Sequence, residues 1–133
     1  MSPLRRFKVD KLIRDKIPEI TLIDGVTTFT RELDLSEYIK RLSDKLIEET
    51  KEVIQAKDKM EIAEELADVL EVINAMAIAN GLSFQDIENA RLIKREIKGG
   101  FEKGIYCSFI EMPSDNQRVS HYLSRSEEYP EVK

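Results

Sequence analysis

Residues 34–80, DLSEYIKRLSDKLIEETKEVIQAKDKMEIAEELADVLEVINAMAIAN, predict two long helices that pack side by side. Asp34-Leu35-Ser36-Glu37 has the cap-x-x-Glu form of a helix start, and the first helix should run to about Ala56. The second helix should run from about Met60 to Asn80, and Gly81 should end it. Because the connection between them is so short, the two helices are expected to be antiparallel neighbours.

Each of these helices carries an apolar stripe that steps by three and four residues. In the first helix one stripe position is held by Glu49, with Glu52 just beside it, and in the second helix Glu65 and Asp68 flank the stripe on one side. Helical spacing stacks Glu49 on Glu52 and Glu65 on Asp68, so the packed pair would pool four carboxylates. The stripes consist of Leu35, Ile39, Leu42, Leu46 and Val53, then Ile62, Leu66, Val69, Ile73 and Met76.

Four pooled carboxylates predict a site for a hard cation, Mg²⁺ or alternatively Mn²⁺, because every donor is an oxygen. An EExxE pattern alone is common on solvated helices, but a carboxylate within an apolar seam is costly unless it is paired or metal-bound. No predicted helix contains a His, which argues against a ferritin-like di-iron bundle. Glu61 lies beside the cluster and Glu48 is predicted to point toward solvent, so both are expected to have secondary roles.

The charge of the cluster favours a phosphorylated substrate that binds through metal ions. The four carboxylates carry a charge of about −4, which would repel a nucleoside triphosphate unless divalent ions lay between them. The sequence has no GxxxxGK[ST] loop, so metals and basic side chains must hold the phosphates, and water is the expected attacking group. The candidate phosphate-binding residues are Lys94, predicted to interrupt the seam of a third helix, with Lys98, Lys103, Arg14 and Lys16.

The bulk composition fits one acidic globular domain. The chain has 133 residues, of which 41% are hydrophobic and 35% charged, with a net charge of −5, which argues against a partner of polymeric nucleic acid. One Cys, Cys107, and one His, His121, cannot form an intrachain disulfide or a Cys/His zinc site, so a reducing cytoplasmic setting is expected. No apolar run is long enough to cross a membrane, and the basic N-terminus lacks the apolar region of a secretory signal.

The remaining elements are predicted to be short. A helix should start at Pro18, a strand should span residues 26–31, a third helix should run from Ser83 to about Lys98, and a second strand should span residues 105–112. The two strands would pair into a small β element. Residues 1–112 are therefore expected to form one mainly α domain, an antiparallel helical bundle capped by the third helix, and residues 113–133 a poorly packed polar tail.

An acidic signature resembles that of the all-α nucleoside triphosphate pyrophosphohydrolases of the MazG-like superfamily, and three further motifs in order resemble a phosphoribosyl-ATP pyrophosphohydrolase-like branch within it. The acidic signature EExxE followed by ExxD stands at residues 48–52 and 65–68. A KLIRDKIPE segment stands at residues 11–19, EELADVLEV at 64–72 and KGGFEK at 98–103. The resemblance covers roughly residues 8–110, and three motifs in sequence are far more specific than the acidic motif alone.

The resemblance implies a helical core in which Mg²⁺ is held by Glu49, Glu52, Glu65 and Asp68. It also implies cleavage between the α and β phosphates of a nucleotide, either standard or non-standard, and assembly as a homodimer or homotetramer whose helices complete the core. Two alternatives stay open from the sequence. One is hydrolysis of phosphoribosyl-ATP in histidine biosynthesis, and the other is a non-catalytic helical oligomerisation module whose acidic residues are only surface.

Overall fold

A computed structural model describes residues 2–133, and within this range the chain forms five helices and no strand. The helices are α1 (Ile17–Ile23), α2 (Leu35–Gln55), α3 (Lys59–Ala79), α4 (Phe84–Lys98) and α5 (Val119–Leu123). The chain divides into two compact units, one ending at Ile97 and one covering Lys98–Lys133, and each is described by itself. The expected domain boundary at residue 112 stays a prediction.

Side-chain caps fix the starts of the two long helices. The Asp34 carboxylate accepts a hydrogen bond from the Glu37 backbone N–H at 2.8 Å, and the Asp58 carboxylate does the same for the N–H of Glu61. Each bond satisfies an amide that has no partner inside its helix. At the other end of α3, Gly81 adopts φ 76°, which only glycine adopts without strain. The predicted starts and ends of α2 and α3 are confirmed to within one or two residues.

The core lies between α2 and α3, which are the only helices of residues 2–133 that pack against each other. Three connecting residues, 56–58, leave no other course than an antiparallel hairpin. The buried apolar side chains are Leu42, Val72 and Ala77. Leu42 belongs to the predicted α2 stripe, whose members Ile39, Leu46 and Val53 are half-buried. The antiparallel pairing is therefore confirmed.

The orientation of α3 differs from the prediction. Its buried line passes through Val72 and the half-buried Glu65 and Asp68, whereas Leu66 of the predicted stripe is 47% exposed and Ile62 is also exposed. The apolar residues of α3 are distributed around most of its circumference, so the helical period of 3.6 residues does not single out one face. The contact with α2 selects the line that contains the acidic residues, which places them in the seam rather than at its edge.

A second apolar surface therefore remains exposed on the hairpin. We call this the outer apolar face, and it consists of Ile47 and Ile54 on α2 and Ile62, Leu66 and Leu70 on α3. At 100° per residue, the members on α2 and α3 both turn away from the seam to the same side, opposite to Glu52 and Asp68. The hairpin thus has an acidic side and an apolar side.

The predicted β element is wrong, because residues 26–31 and 105–112 form no strand. β-branched and aromatic residues favour an extended backbone, but a strand exists only where a neighbouring chain supplies its hydrogen bonds. Both segments are extended or irregular instead, with most of their side chains exposed. The large apolar side chains Phe29, Ile105, Tyr106 and Phe109 are among those left exposed.

The third predicted helix forms as α4, but it does not cap the hairpin. Its start is a reciprocal cap in which the Asp86 N–H donates to Ser83 Oγ at 3.1 Å and the Ser83 N–H donates to Asp86 Oδ2 at 2.8 Å. No other helix of the described chain packs on α4, and Ile97 and Lys94 are exposed. The predicted seam containing Lys94 is therefore wrong, because local capping and helix propensity form this helix without a packing partner.

The unit Lys98–Lys133 contains one short helix and a small group of aromatic rings. The short helix α5 contains His121, although no helical His was expected, and the Tyr122 and Tyr129 rings meet edge to face at 5.1 Å with His121 beside them. These ring contacts form a local aromatic cluster, although nearly all residues of 113–133 are exposed, and the expected polar tail stays a prediction. Across both units, residues 2–133 include no helix with the length and apolar character needed to span a bilayer.

Candidate metal centre

Three carboxylates converge where α2 meets α3. Glu49 comes from α2, and Glu65 and Asp68 come from α3, and one oxygen of each lies within 4.8 Å of those of the other two. All three residues are half-buried, and the Glu49 side chain is only 13% exposed. The spacing of three residues between Glu65 and Asp68 puts both on the same side of α3. The sequence pattern predicted that these three residues would lie together with Glu52 and that Glu49 would lie in the seam, but it placed Glu65 and Asp68 at the edge of the seam.

The other predicted acidic residues lie around this group. Glu52 is exposed and outside the group of three, but it is close enough to add its charge to the surroundings of Glu65. Glu48 is half-buried and ion-paired, so the prediction that it points into solvent is wrong. The Glu61 carboxylate accepts a hydrogen bond from the Lys57 backbone N–H at 2.8 Å and so helps to cap α3.

The group is electrostatically strained in the metal-free protein. Partial burial raises the pKa of the Glu65 carboxyl above its ordinary value of 4.5, and the charges of Asp68, Glu52 and Glu49 raise this pKa further. Among the described residues, Glu65 has no cationic partner, whereas Glu49 pairs with Lys45 and Asp68 pairs with Arg14. Glu65 is therefore the carboxylate with the most unfavourable charge in the site.

Three cations border the carboxylates. Lys45 lies one turn before Glu48 and Glu49 on α2 and contacts both at 3.4 Å. Lys11 Nζ lies 3.3 Å from Glu48, and Arg14 Nη2 lies 2.6 Å from Asp68 Oδ1. Sequence reasoning missed Lys45, although its spacing of three and four residues from the glutamates is the usual signal of a helical ion pair. For Lys11, no local spacing predicts its contact with α2.

Of the predicted phosphate-binding residues, the structure brings only Arg14 into contact with the acidic group. Lys16 is exposed at the start of α1, and Lys94 is exposed on α4. Lys98 and Lys103 are exposed residues of the second unit. Within the first unit, from residue 2 to Ile97, no hydrogen bond or ion pair joins Lys16 or Lys94 to Glu49, Glu65 or Asp68, and the predicted roles of all four lysines depend on the substrate.

The donor set fits a hard divalent cation. It contains only carboxylate oxygens, which Mg²⁺ and Mn²⁺ prefer, and the oxygens are gathered closely enough to share one ion. Partial burial weakens the screening of their mutual repulsion, and that repulsion is relieved when a dication enters. Glu49, Glu65 and Asp68 are the residues that could hold such an ion, with Glu52 beside them.

Glu65→Gln is expected to stabilise the metal-free protein at neutral pH. An acid whose pKa is raised on folding contributes stability that is full below its unfolded pKa, near 4.5, and is lost as the pH rises through the folded pKa. Glutamine copies the protonated form, so the variant should melt at a higher temperature in chelator at about pH 7. The gain should vanish at about pH 4. Thermal melts at both values test this, with the exposed Glu64→Gln as control, and an unchanged or lower melting temperature at pH 7 would contradict it.

Comparison with known proteins connects this site to a family. The family model described as phosphoribosyl-ATP pyrophosphohydrolase matches residues 8–94, about two thirds of the chain. The match includes Arg14, all of α2 and α3 and therefore every carboxylate of the site. None of the curated proteins or solved structures compared with the chain is significantly similar to it. With its acidic hairpin inside the matched range, the chain belongs to the phosphoribosyl-ATP pyrophosphohydrolase family of the MazG-like superfamily and is a pyrophosphohydrolase.

Proposed function

We propose that this protein hydrolyses nucleoside triphosphates, non-standard ones included, to the nucleoside monophosphate and pyrophosphate in an Mg²⁺-dependent reaction. The observation that carries the proposal is the convergence of Glu49, Glu65 and Asp68 within 4.8 Å in the α2–α3 seam. Family membership supplies the class of reaction, since the family consists of pyrophosphohydrolases. The all-oxygen donor set supplies the argument for Mg²⁺, with Mn²⁺ as a substitute.

In this proposal Glu49, Glu65 and Asp68 bind the metal, and Glu52 contributes the fourth carboxylate from one turn further along α2. A bound Mg²⁺ would neutralise charge that develops on the phosphate oxygens. The carboxylates hold that ion in a half-buried seam, where electrostatic interactions are stronger than in open water. Glu48 supports the group by holding Lys45 and Lys11 beside it.

The phosphates also need basic side chains from the protein. Arg14 already lies at the carboxylates, and we assign further phosphate contacts to Lys16, Lys94, Lys98 and Lys103. All four lysines are exposed, and an ammonium group is a compact charge that offsets phosphate charge on binding. We place the reaction in the cytoplasm, because a lone exposed thiol such as that of Cys107 persists in a reducing compartment.

Hydrolysis of phosphoribosyl-ATP is the second candidate, and the description of the matching family favours it. The two candidates share the bond that is cleaved and the acidic residues that are used, so they differ only in the nucleotide bound. Membership of an enzyme family argues against the third candidate, a non-catalytic oligomerisation module.

The test is release of pyrophosphate from a panel of standard and modified nucleoside triphosphates and phosphoribosyl-ATP, with Mg²⁺ and with EDTA. The proposal requires turnover of at least one triphosphate that depends on the metal. Turnover of phosphoribosyl-ATP alone would favour the second candidate. If no member of the panel is hydrolysed, or if hydrolysis persists in EDTA, the proposal is wrong.

We also propose that the outer apolar face joins copies of the chain into a homodimer or a homotetramer, because five apolar side chains on one side of a hairpin are costly to expose.

Leu70→Glu is then expected to release monomers of 15.4 kDa, since it places a charge in the contact. Light scattering after gel filtration measures the mass. Ile78→Glu is the matched control, because Ile78 is an exposed residue of α3 that lies outside this face. An unchanged mass for Leu70→Glu would exclude this face as the interface.

A further inference from the structure

The segment from Lys11 to Lys16, KLIRDK, crosses the acidic side of the hairpin. We call it the cationic strap. Near its start, Lys11 Nζ pairs with Glu48 of α2 at 3.3 Å, and three residues later Arg14 Nη2 donates to Asp68 Oδ1 of α3 at 2.6 Å. The strap has no helical hydrogen bonds before α1, and Leu12 and Ile13 are half-buried between its two ionic contacts. One short segment thus places a cation on each of the two helices that build the metal centre.

We propose that Arg14 and the metal ion compete for Asp68, and that Arg14, once displaced, binds a phosphate of the substrate. This inference rests on the proposed function, because it concerns the same site. It assigns to Arg14 two successive partners, first a carboxylate of the metal-free protein and then the anion that arrives after the metal. Binding is therefore ordered, with metal before phosphate.

The Arg14–Asp68 pair can be displaced because it is exposed. The Arg14 side chain is 57% exposed and that of Asp68 is 36% exposed, and exposed ion pairs contribute about 0–1 kcal/mol. A dication shared by Asp68, Glu49 and Glu65 gains more, because it meets three carboxylates at once. The guanidinium and the dication also repel each other at this separation, so each weakens the binding of the other.

The chemistry of the guanidinium then favours phosphate as its next partner. Its planar set of donors matches two phosphate oxygens, and charge-assisted hydrogen bonds of this kind are stronger than neutral ones. After a metal neutralises the carboxylates, Arg14 loses its attraction to them and remains at the site through the half-buried Leu12 and Ile13 of the strap. A nucleotide phosphate bound at the metal is the anion within its reach.

The first experiment measures the affinity of Mg²⁺ alone by titration calorimetry for the full-length wild type, Arg14→Gln and Arg31→Gln. Arg31 is the matched control, because its Nη2 lies 2.6 Å from Glu37 Oε2 and its exposure resembles that of Arg14. Glu37 precedes Glu49 by roughly 18 Å along α2, taking 1.5 Å per residue. We expect Arg14→Gln to bind Mg²⁺ roughly two- to fivefold more tightly, and Arg31→Gln to bind it as the wild type does.

The sign of this change separates competition from a structural role. A variant that damaged the fold, or one that lost an orienting hydrogen bond to Asp68, would bind Mg²⁺ more weakly. Tighter binding in Arg14→Gln follows from removal of the cation that pairs with Asp68 and repels the dication. If the wild type binds Mg²⁺ and Arg14→Gln binds it equally or more weakly, the proposed competition between Arg14 and the metal is overturned.

The second experiment titrates inorganic pyrophosphate into the same proteins at saturating Mg²⁺. Arg14→Gln should bind it about tenfold more weakly than the wild type and Arg31→Gln, and unchanged binding overturns the transfer of Arg14 to phosphate. The proposed function fails separately, when the wild type itself binds no Mg²⁺ or hydrolyses no nucleotide. If the wild type hydrolyses nucleotides with Mg²⁺ while Arg14→Gln gains no metal affinity, only this inference fails.

Discussion

Asp68→Asn is expected to lower Mg²⁺-dependent release of pyrophosphate by at least about a hundredfold. The substitution keeps the size and shape of the side chain but removes one of three converging negative charges, so the metal loses a charged oxygen donor. Glu49→Gln, at a carboxylate whose side chain is only 13% exposed, should have an effect of similar size. Steady-state rates at saturating nucleotide and a range of Mg²⁺ concentrations measure both.

Glu64→Gln provides the matched control for these variants. Glu64 lies next to Glu65 on α3 but is exposed and outside the metal centre, so its activity should equal that of the wild type. In a second measurement, Mg²⁺ should raise the melting temperature of the wild type and of Glu64→Gln by binding linkage, and should not raise that of Asp68→Asn. Full activity of Asp68→Asn would show that the group of three carboxylates is not the catalytic site.

Leu42→Ala is expected to cost about 2–5 kcal/mol of unfolding free energy, enough to lower the melting temperature by about 10 °C. Leu42 is only 4% exposed and is one of three buried apolar side chains in the described chain. The loss therefore falls on the centre of the α2–α3 contact, where few other side chains could close the cavity. Chemical denaturation in EDTA measures the change without the contribution of the metal.

The control is Leu35→Ala, which makes the same substitution near the start of the same helix. Leu35 is 61% exposed, so its truncation should change the unfolding free energy by about 0.5 kcal/mol or less. Equal losses for the two variants would mean that the seam is not the main source of stability.

The sequence was sufficient for the hairpin and its carboxylate group, because local chemistry decides both. Asp34 and Asp58 cap their helices through their own side chains, and Gly81 ends α3 through its backbone freedom. The three-residue spacing of Glu65 and Asp68 fixes their common side of α3 whatever packs around them. Family membership agrees with the resemblance carried by these motifs.

Several other features, each of which depends on a partner distant in sequence, were not predicted correctly. The orientation of α3 is set by which of its apolar sides meets α2, and Leu66 and Ile62 lie outside the chosen contact. The segments 26–31 and 105–112 do not form strands, because no neighbouring segment pairs with them. The contact between Lys11 and Glu48 spans 37 residues, and no local pattern reveals such a pair.

The sparse core has a consequence for the lifetime of the protein. A chain that buries only three apolar side chains within residues 2–133 holds its helices together weakly on its own, and weakly held helices open often enough to expose their backbone to proteases. If two copies pair as proposed, newly made copies without a partner would be cleared quickly, and paired copies would persist. The amount of active enzyme would then rise more steeply than its rate of synthesis.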